Sequence, residues 1–387
     1  MHTISGRNVN EVFPTGLSLL RRLSEENVRV PKGKQTTIEY PDVVCSEYAC
    51  PIERVLFDEV RDINPFFHLM EALWILAGRK DVKWLSFFNK NMANYSDNGV
   101  SFHAAYGHRL RKNNNIDQLK KIIEILKKDP QSRQAVTSIW DVKLDLGTKT
   151  KDMPCNDMQF FKIRKDVDGH DALDITVCCR SNDMIWGCYG TNVVQFSVIQ
   201  EYVANGLGIP MGTYRQISDS FHLYPDTDVY QRLCLDRDPN DCLCDDKYSE
   251  DYVETRALPT KLINTNIKSW DKDLREFMKI TDLCIKSNIN PRNMILHTGT
   301  FSDKFFIETA WPIFASWSIY KQFGKQAAIN YLGYSTEKYH TQRNDWFVCA
   351  AAWFNRRKER IHGPIEIADR KSITSTRNYR KQQSLQD

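Results

Sequence analysis

Within this 387-residue chain a few groups stand apart by type and spacing. Cys155 lies just before one strand-like run, and Arg180 follows the next. A thiolate is the natural protein nucleophile for an electron-poor carbon once a nearby positive charge or base favours ionisation. Taken alone, Cys155 is one of eleven cysteines, and for that residue type a buried inert thiol is the default. The second group is Glu71. Phe66, Phe67, Leu69, Met70, Leu73, Trp74, Ile75 and Leu76 cover nearly the whole circumference of its segment, which marks a buried helix. A lone carboxylate there needs a raised pKa, a hydrogen-bond network, or both. It is either a structural Glu bonded to backbone or water, or a general acid/base. The ordered set then runs through Ser181 and the amide of Asn192 to Asp219, His222 and Tyr224.

Several elements must position these groups. Residues 15–26 carry Leu17, Leu20 and Leu23 at helical spacing, and the basic loop 29–34, with Lys32 and Gly33, could approach a phosphate or be a plain solvated turn. Asn64-Pro65 suits the start of the Glu71 helix. Ile116, Leu119, Ile122, Ile123 and Leu126 form an amphipathic helix with Asn115 as cap and Pro130 beyond its end. Residues 135–140, 159–164, 173–179 and 213–217 are expected strands, and residues 193–205 a helix closed by Gly206. Residues 270–286, 305–323 and 345–360 look helical, residues 237–251 are expected to form a surface excursion, and 371–387 a polar tail. The mixture indicates an α+β fold built on a sheet.

Composition sets limits. A hydrophobic content of 41% and a net charge of +4 suit an ordinary globular protein and do not demand a nucleic-acid partner. The basic run Arg356, Arg357, Lys358 and Arg360 reads as a solvated helix end, without interleaved aromatics for single strands. No run is long and apolar enough for a membrane span, and residues 1–10 lack a signal-peptide stretch. Cysteines odd in number and irregular in spacing argue for free thiols and a cytoplasmic location. Cys234, Cys242 and Cys244 offer neither a C-x-x-C pair nor a nearby histidine, so no metal is expected.

Read together, Pro154-Cys155 before a Gln-Phe strand, Arg180-Ser181-x-Asp183-x-x-x-Gly187, Asn192 and Asp219-x-x-His222-x-Tyr224 resemble, in order and spacing, the thymidylate synthase superfamily with its pyrimidine nucleotide hydroxymethylases. The Glu71-Ala72-Leu73-Trp74 helix, Ala105-Tyr106-Gly107 and Asp129-Pro130-Gln131-Ser132-Arg133 extend the likeness over about residues 64–224. The resemblance implies a single thymidylate synthase-like catalytic domain over residues 1–387, with a large mixed sheet flanked by helices and a two-fold dimer through the sheet. An insertion near 235–260, a helical part 261–362 and a tail 363–387 would complete it. It further implies that Cys155 adds to C6 of a pyrimidine 5′-monophosphate and that the carbon donor is 5,10-methylenetetrahydrofolate. Glu71 and Tyr106 would move protons through ordered water, and Asp183 would face the pterin. Arg180, Ser181, the partner-donated Arg133-type residue and a basic residue such as Lys32 would hold the phosphate, and His222 and Tyr224 the sugar hydroxyl. Asn192 would match uracil by donating to O4 and accepting from N3–H.

Departures bear on the final step. Asn156 stands where synthases carry His, Cys179 where they carry Gln, Gln134 where they carry a second Arg, and Tyr95 near a folate-side Trp. The tail after Ile361 does not resemble the synthase's closing terminus. Hydride transfer needs a closed, water-free site, so these changes favour water addition and hydroxymethylation of dUMP. The alternatives are reductive methylation to dTMP, hydroxymethylation of dCMP or CMP, and a non-catalytic nucleotide-binding regulator.

Overall fold

The computed structural model describes residues 1–23, 27–30, 35–235, 245–293 and 299–358. Among the described residues ten strands form two sheets. The larger has six strands in the order β1-β4-β9-β7-β6-β5, where β1 is His2–Gly6, β4 Val44–Tyr48, β5 Val136–Ser138, β6 Asn156–Lys165, β7 Asp171–Cys179 and β9 Met211–Ser218. The smaller orders β2 (Val28–Arg29), β3 (Thr37–Glu39), β10 (Phe221–Leu223) and β8 (Asn182–Asp183). The large sheet is mixed, with β1–β4 and β7–β9 parallel and the other pairs antiparallel. This is the expected α+β architecture.

Side-chain alternation explains its two faces. Phe161, Leu173, Ile175, Val177, Tyr48 and Tyr214 point into the core, where they meet the helices Val9–Arg21 and Val193–Leu207. On the other face Met158 and Phe160 remain 39% and 38% exposed. The helix Pro65–Leu76 starts as expected, with Pro65 in its first turn and the Asn64 side chain accepting from the Phe67 amide; all twelve residues are buried. A Cβ on Gly107 would run into the Ile75 carbonyl, so only glycine lets the short helix Tyr106–Arg111 cross this close.

Several boundaries differ from expectation. The first helix is Val9–Arg21, capped by Asn8, with Pro14 inside it. Asn115 lies at positive φ, and Asp117 caps Gln118–Lys128 instead. Gly206 lies within its helix because Ile123 packs where a side chain would be, and the stop is Gly208 at φ 77°. Within 237–251 the described part is anchored: Tyr248 is buried and donates to Asp345 at 2.8 Å. A helix at Lys325–Tyr339 was not legible beforehand. Lys32, Cys242, Cys244 and the tail after residue 358 lie outside the described residues.

Candidate active site

The antiparallel pairing of β6 and β7 puts Asn156 opposite Cys179, next to an irregularity before Met158. That register carries Arg180 back over the Pro154-Cys155 turn. Its Nε donates to the Pro154 carbonyl at 2.7 Å, and its Nη2 donates to the Met153 carbonyl at 3.3 Å and lies 3.9 Å from the Cys155 sulfur. The guanidinium is thereby held against the sulfur. Cys155 is half-buried, and its sulfur lies 3.7 Å from the Met153 carbonyl oxygen.

Tyr106 closes one side. Its hydroxyl oxygen accepts from the Cys155 amide at 3.3 Å and from Asn156 Nδ2 at 3.0 Å. Burial holds its phenol well above the usual range, with the Cys155 charge adding to the effect. Glu71 is buried, and its Oε2 accepts from Gln195 Nε2 at 2.7 Å. Burial pushes its carboxyl up to about 7, with the Gln195 bond opposing and the charge of Asp152 adding. A carboxyl poised there can both give and take a proton near neutrality.

Asn192 ends a π-helical stretch, Met184–Asn192, and opens the helix Val193–Leu207. Its Nδ2 donates to Asn182 Oδ1 at 3.1 Å, and Asn182 donates in turn to Ser218 at 2.9 Å. Gly187 packs against both amides, so a side chain there would crowd them. The second sheet brings His222 into register beside Asp183. Asp183 accepts from the Ile185 and Trp186 amides; burial raises its carboxyl, opposed by the charge of His222. The ring of His222 meets Tyr224 edge-on at 5.4 Å. Burial raises the Tyr224 phenol, and the charges of Asp183, Cys155 and Tyr95 add to the effect.

Hydrogen bonds place Cys155, Arg180, Tyr106 and Asn156 together, Glu71 with Gln195, and Asn192 with Asn182. Tyr95 lies 53% exposed on a short 3-10 turn. Arg133 is exposed three residues before β5, without a hydrogen bond or ion pair among the described residues, and Ser181 is half-buried after Arg180. Sequence reasoning missed Gln195, the partner of Glu71, although it follows Asn192 by three residues on one helix face. It also missed Arg61, whose guanidinium lies 4.3 Å from the ring centre of the half-exposed Trp186 and donates to the Ile185 carbonyl. Among the described residues the only cluster with metal-ligand geometry is Asp166, Asp168 and His170, in the turn between β6 and β7. No helix among them is long and apolar enough to cross a membrane.

Comparison with known proteins fits this geometry. The family model for thymidylate synthase matches residues 60–257. A deoxyuridylate hydroxymethyltransferase of Pseudomonas phage M6 is 36% identical over 358 residues, covering 92% of this chain and 95% of the relative. Its counterpart in Bacillus phage SP01 is 43% identical over 237 residues, 58% of this chain and 60% of the relative. Among solved structures, phage T4 thymidylate synthase aligns with a TM-score of 0.44 at 19% identity, over 56% of this chain and 77% of that one. On the matched span and the full-length likeness, this chain belongs to the thymidylate synthase family.

Proposed function

We propose that the protein transfers a one-carbon unit to C5 of dUMP and releases 5-hydroxymethyl-dUMP. The observation that carries this reading is the Cys155 thiol beside Arg180, with Tyr106 bonded to its backbone; the buried Glu71 carboxyl, raised to about 7, supports it. The deoxyuridylate hydroxymethyltransferase names of the phage relatives support the substrate and the product.

Cys155 adds its sulfur to C6, and the C5=C6 electron pair moves toward C5 and O4, making C5 a carbon nucleophile. Bound 5,10-methylenetetrahydrofolate supplies a carbon at the oxidation level of formaldehyde. Glu71 and Tyr106 hold the water that carries the C5 proton away. With the donor bound, C5 would bond to its one-carbon unit, and loss of the folate nitrogen from that carbon together with the C5 proton would leave an exocyclic methylene on the nucleotide. Water adds to that carbon, the C6–S bond breaks, and Cys155 leaves as thiolate. The sum is dUMP, methylenetetrahydrofolate and water giving hydroxymethyl-dUMP and tetrahydrofolate.

Asn192 reads the uracil edge, held by Asn182 behind it. Arg180 and Ser181 bind the phosphate, with Lys32 closing on it, and His222 and Tyr224 bind the sugar hydroxyl. Asp183 suits the amine edge of a pterin, while half-exposed Trp186 backed by Arg61, together with Tyr95, suits its flat face. Asn156, in place of histidine, shapes the water network that favours water over hydride.

The open face of the large sheet, with Met158, Phe160, Ile217 and Cys178, is the surface for a two-fold dimer, and Arg133 at its edge, without a partner among the described residues, would serve the partner's phosphate site. The nine described cysteines are all free thiols, which suits a cytoplasmic setting.

The test is incubation with methylenetetrahydrofolate and dUMP, dCMP or CMP separately, followed by mass spectrometry of nucleotide and folate. Hydroxymethyl-dUMP with tetrahydrofolate is the expected result. Thymidylate with dihydrofolate, or modification of cytosine nucleotides alone, would overturn it.

A further inference from the structure

Behind Cys155 runs a chain of buried hydrogen bonds that all point the same way. Tyr214 Oη–H donates to Gln216 Oε1 at 2.7 Å, and Gln216 Nε2–H donates to Cys179 Sγ at 3.6 Å. Cys179 Sγ–H donates to Asn156 Oδ1 at 2.8 Å, and Asn156 Nδ2–H donates to Tyr106 Oη at 3.0 Å. Asn156, Gln216 and Tyr214 are fully buried, and Cys179 is only 3% exposed. Burial holds the Cys179 thiol, like the Tyr106 phenol, protonated through the neutral range.

The polarity of this chain has a consequence at its end. Tyr106 Oη also accepts from the Cys155 amide. With both inner contacts supplied by donors, the phenolic proton cannot point inward and must be given outward, toward the reacting ring and its water. The orientation holds only while the Asn156 amide keeps its oxygen turned to Cys179. A sulfur that already accepts from Gln216 has one proton to give, and the Asn156 oxygen is what receives it.

We infer that Cys179 is a positioning residue: its S–H fixes the Asn156 amide so that Tyr106 presents a hydrogen-bond donor to the nucleotide beside Cys155. The inference rests on the catalytic reading above. It concerns a residue that touches no substrate and a second thiol with a role opposite to that of Cys155, donating a proton where Cys155 attacks. Removing the S–H frees Asn156 to turn over. Its amide oxygen then takes the Tyr106 proton, and the donor facing the pocket is lost.

Two variants separate positioning from packing. Cys179→Val keeps the buried volume and removes the donor, whereas Cys179→Ser keeps the donor and loses apolar bulk. Release of tritium from dUMP labelled at C5 reads proton removal directly, whatever the final product. Cys179→Val is expected to lower the tritium-release rate about ten- to a hundred-fold with dUMP affinity little changed. Cys179→Ser should retain most of the rate despite lower thermal stability. In a Tyr106→Phe background, Cys179→Val should add no further loss, since the two changes would remove one function. Full activity of Cys179→Val, or a serine variant slowed as much as the valine variant, would overturn the inference. Additive losses in the double variant would do the same. Failure of the unmodified protein to release tritium would instead sink the catalytic reading itself.

Discussion

The helix Pro65–Leu76 separates two regions built on opposite principles. On one side Phe66 meets Trp317, Trp353 and Phe354 with ring centres 4.9–5.4 Å apart, and Tyr320 packs on Trp353 and Phe354 beyond them. Arg356 and Arg357 pair with Asp62 and tie this layer to the turn just before the helix. On the other side the same helix presents Glu71 to Gln195 of the helix Val193–Leu207. The aromatic side is stabilised by area and edge-to-face geometry, non-directional or nearly so. The pocket side buries amides, thiols and a carboxyl whose value lies in which way each proton points. A rigid apolar backing lets the other face hold a strained protonation state.

The sharpest break of this contrast is at the nucleophile. Cys155→Ser should fold normally and lose turnover altogether, because a serine hydroxyl beside Arg180 is not ionised at neutral pH. Retained turnover in a steady-state assay would remove the pocket's claim to chemistry.

Next in size is Glu71→Gln, which should lower kcat about a hundred-fold or more. Its stability should move the other way. With a folded-state value near 7, above that of the unfolded chain, the folded protein binds the extra proton. Stability contributed by that proton is complete below the unfolded value and is lost as pH rises through about 7. The Gln variant should therefore melt higher than the parent at pH 8, by on the order of 3 kcal/mol at most, and show little gain near pH 4. Calorimetry at the two pH values measures this, and an equal effect at both would refute the raised carboxyl.

Asn192→Asp should cut dUMP turnover roughly ten- to a hundred-fold and open turnover of dCMP, as Asn182 turns its amide to meet the new carboxylate. Competition between the two nucleotides measures the change. Smallest in its effect on rate is Trp353→Ala, on the aromatic side. It should lower unfolding free energy by about 3–5 kcal/mol while leaving kcat nearly unchanged below the melting range. A large loss of kcat there would mean the two sides are not separable.

Legibility in the sequence divides along the same helix. Its apolar circumference, the Asn64-Pro65 start and the embedded carboxylate were plain, because burial on all sides writes itself into composition. The ordered motifs around Cys155, Arg180, Asn192 and His222 were plain too. The supporting shell was not. Gln216 and Asn182 occupy inward strand positions where a polar residue breaks the expected alternation, and alternation alone assigns such residues to solvent, while Cys179 follows the inward alternation and reads as plain core. The Lys325–Tyr339 helix buries only Ala328, Leu332 and Ser335, too thin a stripe to mark a helix. Pro14 disguised the first helix, since proline inside one usually signals its start. Gly206 mimicked a stop because close packing and chain reversal both select glycine.

Attack by the Cys155 sulfur on the pyrimidine ring is most directly tested with the 5-fluoro analogue of dUMP and methylenetetrahydrofolate. Fluorine cannot leave C5 as a cation, so the sequence should halt with sulfur bonded to C6 and the one-carbon bridge formed. Mass spectrometry of the denatured protein should then show one nucleotide and one folate added, on the peptide containing Cys155. An unchanged mass, or an adduct on any other cysteine, would contradict the account.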